Sequence, residues 1–153
     1  MAIAPSAFGE SLSLQQRVHV EAVGRELDLD VVLEIAPDEV TLVGIALGQR
    51  VLTLRYDGVK LTESRHALLP RDVRGRDILS DMQLALWPTS AVRAALPRGW
   101  TITDTDGGRV VSQGADEVLR ITYEATPRWK GVMTVRNLRY NYRLQITSVV
   151  AEP

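Results

Sequence analysis

Two histidines, nineteen carboxylates and no cysteine are the raw material for chemistry in this chain. His19 falls on the polar side of an alternating run and His66 in a loop. Neither has an i, i+4 partner of the kind a metalloprotease helix supplies, and both read as surface residues. Asp28 and Asp30 share one strand face and offer paired carboxylates for acid–base work. The simpler reading is a solvated exterior opposite a leucine–valine row. The run Asp104, Asp106, Gly107, Gly108 has the beginning of a calcium loop without its downstream glutamate, and reads as a turn. There is no GxSxG elbow and no phosphate-cradling glycine loop. Arg128-Trp129-Lys130, with Arg136, Arg139 and Arg143, is placed either to hold an anionic group or to solvate the outer face of two strands. Without cysteine there is no disulfide, thiolate nucleophile or zinc–thiolate centre. These residues point away from an enzyme, and no cofactor or metal is expected.

Composition agrees with a binding or structural role. The chain has 153 residues, 45% apolar and 24% charged, with a net charge of −1. That length suits one domain, and the charge supplies no attraction to nucleic acid. No run of about 18 apolar residues is present to span a bilayer as a helix. Met1 to Phe8 lacks a basic n-region and a long apolar core, so it does not read as a signal peptide.

The elements that position these residues are nearly all strands. The one helical stretch is Gly75 to Trp100. There Ile78, Met82, Ala85 and Leu86 recur at helical spacing, and Asp77 and Asp81 sit where carboxylates favour the positive end of the helix dipole. Pro88 stops this helix near Trp87, and Thr89 or Ser90 is placed to cap a second one carrying Val92, Ala95 and Leu96. Residues 1–12 read as a flexible arm, and 13–150 as a single domain. Strands are expected from Leu14 through Ala22, Leu27 to Ile35, Glu39 to Leu47, Leu52 to Tyr56 and Val59 to Arg65. After the helices follow Trp100 to Thr103, Arg109 to Gln113, Glu117 to Ala125, Gly131 to Asn137 and Tyr140 to Val149. Asp57-Gly58 has the chemistry of a two-residue hairpin turn.

Ten successive antiparallel strands twist and curl. The expected fold is therefore mainly β, a curved half-barrel with the helices of residues 76–96 as a lid on its concave side. Its apolar interior is either collapsed or open to a guest. The rows Leu29, Val31, Leu33, Leu52, Leu54, Leu119, Ile121, Leu144 and Ile146 should line the concave face. Ile78, Met82, Leu86 and Trp87 should close it from above.

Two segments carry a family resemblance. Val40 to Leu54, VTLVGIALGQRVLTL, resembles the strand–loop–strand of the outer-membrane lipoprotein receptor LolB. Leu79 to Pro97, with Trp87-Pro88, Val92-Arg93 and Leu96-Pro97, resembles the helical lid of that family. ESRHALLP, GRDILSDMQLALWP, AALPRGW and RNLRYNYRLQI resemble an uncharacterised bacterial lipoprotein family associated with aryl polyene biosynthesis clusters, beside a LolA-like carrier and an exporter. The resemblance implies a LolA/LolB-type half-barrel that binds acyl chains on the periplasmic side of the outer membrane. It also implies lipid anchoring of a precursor through a cysteine, which this sequence does not contain. The position matching the membrane-contacting leucine of LolB is Leu47. Gly48-Gln49 fits the pattern, while Ala46 departs from the usual proline.

Two functions follow as expectations. One is non-enzymatic binding of a hydrophobic ligand (an acyl chain, a lipoprotein lipid or an aryl polyene) for transport or localisation to the inner leaflet of the outer membrane. The other is a scaffold with a closed core that docks biosynthetic enzymes or an exporter.

Overall fold

Alternating apolar and polar residues build ten strands, and their antiparallel register sets which side chains meet. The computed structural model describes residues 2–71 and 73–151. A 3₁₀ turn at Pro5–Phe8 precedes β1 (Leu12–Ala22), β2 (Arg25–Ile35), β3 (Val40–Ala46), β4 (Gln49–Tyr56) and β5 (Leu61–Arg65). Then come α1 (Gly75–Leu86) and α2 (Thr89–Ala95), and after them β6 (Trp100–Thr105), β7 (Gly108–Gln113), β8 (Asp116–Tyr123), β9 (Gly131–Asn137) and β10 (Tyr142–Val150). All ten strands form one curved, unclosed sheet in the order β5-β4-β3-β2-β1-β10-β9-β8-β7-β6. The expected half-barrel with a helical part is the observed fold.

The first and last strands pair in the middle, with Val18 opposite Ile146 and Val20 opposite Leu144. The edges are β5 and β6, and the α1–α2 segment is the connection between them. The helices therefore lie across the concave side. A side chain at Gly75, where α1 begins, would collide with Leu54 of β4 and Glu63 of β5. At its other end α1 meets Arg109 of β7 and Tyr123 of β8.

Since each neighbouring pair is antiparallel, the turns at 23–24, 47–48, 114–115 and 138–141 fall on one rim, and those at 36–39, 57–60, 106–107 and 124–130 on the other. The second rim is closed by the chain's beginning. Ile3 and Phe8 are buried. The Ile3 N–H donates to Gln83 Oε1 at 2.8 Å and Gln83 Nε2 donates to the Ile3 carbonyl at 2.7 Å. Trp87 Nε1 donates to the Ala4 carbonyl, and the Phe8 ring lies 5.1 Å from Trp87 and 5.4 Å from Trp129. The expectation of a flexible arm over 1–12 is thus corrected for residues 3–8. Two apolar side chains in a mixed Ala-Pro-Ser context carry no periodicity, yet they fill the gap beneath the lid.

Local details differ as well. Asp57-Gly58 is part of a four-residue loop, in which Asp57 Oδ1 accepts from the N–H groups of Val59 and Lys60. A side-chain mimic of a turn replaces the two-residue hairpin. No side-chain hydrogen bond caps α2, because Pro88 holds the N-cap position; the Thr89 hydroxyl, at the first helical residue, donates to the Asp104 carboxylate. Asp81 lies in the second turn of α1, beyond reach of the helix-dipole argument, while Asp77 does lie in the first.

Candidate functional site

Helix α1 divides the space above the sheet in two. On the rim carrying the 23–24 and 47–48 turns, the concave face is not filled. A cavity of about 390 Å³ lies between α1 and the upper parts of β1, β2, β3, β9 and β10. Its deeper lining residues, Val31, Leu42 and Leu52, are buried, whereas Val20, Ala22, Tyr142 and Leu144 nearer the rim are only half-buried. The cavity therefore opens toward that rim. Beyond α1, a smaller cavity of about 220 Å³ lies against Leu96, Trp100, Leu119 and Arg139.

The expected lining is divided by this arrangement. Leu29, Val31, Leu52, Ile78, Met82, Leu86, Leu144 and Ile146 all border the larger cavity. Leu33, Leu54, Trp87 and Ile121 border neither cavity and are no more than 2% exposed. They form the solid core nearer the closed rim. Leu119 borders only the smaller cavity. Alternation assigns a face to each strand residue but not a height along the strand, which is why Leu33, Leu54, Leu119 and Ile121 could not be told from the others, while Trp87, at the end of α1, packs on Phe8 instead. Val18, Val20 and Leu42, on apolar strand faces but outside the expected lining, also border the larger cavity.

Asp81 is the member of the site that sequence reasoning missed. It is 7% exposed, and it borders both cavities together with Asp77 and Tyr140. Tyr142 of β10 donates its hydroxyl to Asp81 Oδ2, and Asn137 Nδ2 of β9 donates to the Tyr142 oxygen at 3.1 Å. Burial pushes the Asp81 carboxyl up to about 7, with the charge of Asp77 adding to the rise and Asn137 opposing it. The sequence held one signal: an aspartate at position 81 interrupts the apolar stripe between Ile78 and Met82.

The far end of α1 is fixed by two cations, Arg109 buried and Arg128 half-buried. Arg109 Nη1 donates to the carbonyls of Leu84 at 3.0 Å and Trp87 at 2.6 Å, Arg128 donates to Leu86, and the Tyr123 hydroxyl donates to Ala85. The last carbonyls of a helix lack intrahelical donors and carry its negative dipole end. Burial lowers the pKa of Arg128 and pushes the Tyr123 hydroxyl up to about 12. Both readings offered for Arg128-Trp129 are corrected: Arg128 anchors the lid helix and Trp129 packs on Phe8. Arg136 and Arg143 are exposed and opposite each other across β9 and β10, so they solvate the outer face.

The remaining candidates for chemistry are dispersed. His19 Nδ1 lies 2.6 Å from Asp28 Oδ1 on the outer face, and this hydrogen bond raises the histidine pKa. Asp30 faces Arg17 instead, so the two aspartates do not work as a pair. His66 Nδ1 accepts from the Leu68 N–H in an exposed loop. Asp104, on β6, lies 3.4 Å from Arg109 and accepts from the Thr89 hydroxyl, and the turn itself falls at 106–107.

Leu47 sits at the tip of the β3–β4 turn. Its φ is +52° and that of Gly48 is +74°, the paired positive values of a tight hairpin turn. The Leu47 side chain is 94% exposed, so it does not pack inward. Val23, Leu68 and Tyr140, also exposed, belong to the same rim, as does Leu138.

Fold and site together define a curved antiparallel sheet with a helical lid and an apolar cavity opening at one rim. The chain belongs to the family described as a protein of unknown function, DUF3261, whose model matches residues 13–150. No curated protein matches it.

Proposed function

We propose that the protein is a non-enzymatic carrier or receptor that takes one apolar chain into the cavity beneath α1 and exchanges it with a bilayer at the open rim. The cavity carries the reading. Its volume of about 390 Å³ lies within the range of ligand sites, roughly 300–1,000 Å³. Burying about ten methylenes contributes roughly 8 kcal/mol. That offsets an association cost in the lower part of the range of about 4–15 kcal/mol. Met82, with an unbranched and adaptable side chain, borders the space on the lid side.

The rim supports exchange with a membrane. A leucine in the left-handed region costs about 1–2 kcal/mol relative to ordinary backbone. Leu47 adopts it with its side chain in solvent, and so gains no compensating burial within the fold. Insertion into lipid would supply that burial. The likeness of residues 40–54 to LolB supports placing this rim at the inner leaflet of the bacterial outer membrane. The protein would then be a lipoprotein-type receptor, anchored in its precursor form on the periplasmic side. A LolA-like carrier or exporter would be its donor, and an acyl chain or aryl polyene its cargo.

The test is native mass spectrometry of protein purified without denaturant, followed by titration with the neutral apolar fluorophore N-phenyl-1-naphthylamine. Adducts of lipid mass and saturable binding at one site are expected. A bare protein mass and no saturable binding would overturn the carrier and leave the closed-core docking protein.

A further inference from the structure

We propose that Asp77 and Asp81 select the head group of the guest, and that this head is a cation: an aliphatic amine or quaternary ammonium on an apolar chain. The inference rests on the carrier reading and adds the chemistry of the ligand's polar end. Four residues apart on α1, the two aspartates border both cavities. They therefore mark where a chain in the larger space must place its head.

The charge arrangement there is incomplete. Asp81 is more than nine-tenths buried, and neither aspartate has an ion-pair partner among the described residues. Among the described residues the donors to Asp81 are neutral, the Tyr142 hydroxyl and the Asn137 amide. Two arginines border these spaces: Arg74 at the larger cavity is exposed, and the guanidinium of Arg139 at the smaller one lies over the rings of Trp100 at 5.8 Å and Tyr140 at 5.5 Å. Buried carboxylates are held with counter-charges because the desolvation cost is otherwise large. A guest ammonium would complete the set, beside a cavity wall that includes Tyr140 and Tyr142. A guest carboxylate would meet two like charges instead.

The experiment displaces a neutral fluorescent probe, N-phenyl-1-naphthylamine, at pH 8 with ten-carbon chains that differ only in head: decylammonium, decanol and decanoate. Decylammonium should displace at a concentration at least about tenfold below that of decanoate, with decanol between them. In the double variant Asp77→Asn with Asp81→Asn this preference should vanish while decanol displaces as before. Asp77→Asn alone, at a half-buried position, should reduce the preference and serves where the double variant does not fold. Decanoate binding as well as decylammonium, or a preference unchanged in the variants, would overturn the inference and leave the carrier standing. Failure of the probe and all three chains to bind would overturn both.

Discussion

Replacing Asp81 by asparagine tests whether the lid helix carries a buried charge at a stability cost. Asparagine keeps the shape and an acceptor for the Tyr142 hydroxyl while removing the ionisation. The Asp81 carboxyl moves from 3.8 to about 7 in the folded chain, chiefly through burial. At 1.36 kcal/mol per pH unit, that gap is worth roughly 4 kcal/mol. The direction follows from proton linkage. Between pH 3.8 and 7 the folded state binds this proton and the unfolded state does not, so stability falls as pH rises. The contribution is fully present below pH 3.8 and lost once pH passes 7, where both states are ionised. The asparagine variant would carry no such slope.

The assay is urea unfolding of both proteins at pH 5, 6.5 and 8, with the midpoint and slope fitted separately. Other titrating groups change both proteins alike, so the difference between them isolates Asp81. At pH 8 Asp81→Asn should be the more stable by about 2–4 kcal/mol, or about 5–15 °C in melting temperature for a chain of this size. At pH 5 most of that advantage should be gone. A difference independent of pH, or a variant less stable at pH 8, would refute the assignment of a buried, counter-ion-free carboxylate at this position.

Three further outcomes separate the parts of the molecule. Leu144→Trp should fill the cavity and abolish N-phenyl-1-naphthylamine binding with the fold intact, whereas Leu33→Trp, at a fully buried position outside the cavity, should overpack the core by about 1–3 kcal/mol; circular dichroism melts and the binding titration read both. Leu47→Glu should leave the melting temperature nearly unchanged, since the side chain is in solvent, and weaken sedimentation with liposomes; unchanged sedimentation would remove the rim from the membrane reading. Arg109→Met should lower stability by about 3 kcal/mol or more in urea unfolding, because it leaves buried carbonyls of Leu84 and Trp87 without a donor.

The sheet was legible because its determinants are local. Alternation through Leu27, Leu29, Val31, Leu33 and Ile35 specifies a strand with one buried face, and turn residues recur between such runs. The two-helix interruption was equally plain, from the spacing of Ile78 and Met82 and from Pro88. What escaped were the features that depend on which parts of the chain meet. Ile3 and Phe8 acquire their role only because Trp87 and Gln83 lie above them. Arg109 alternates with apolar residues in β7 and so has the position of a core side chain, but its partners are carbonyls more than twenty residues earlier. Asp81 looks like a helix-start carboxylate until the Tyr142 hydroxyl is brought against it.

The location of the cavity follows from the same long-range geometry. The lid runs from edge strand β5 to edge strand β6, and its two ends are held in different ways. Its last turn is bound by two arginines and a tyrosine and packed on the aromatic cluster of Phe8, Trp87 and Trp129. Its first turn is seated closely on Leu54 of β4 and Glu63 of β5 at Gly75, with no side-chain cap, and Arg74, Asp77 and Ile78 border the larger cavity. Side-chain hydrogen bonds hold its last turn, and close packing at Gly75 holds its first. The rim toward which the larger cavity opens is where Val20, Ala22 and Leu144 remain half in solvent and where Leu47 projects. In the proposed carrier, ligand entry and the turn that meets the bilayer would share this side of the molecule, while the packed half supplies the stability that an unfilled cavity takes away.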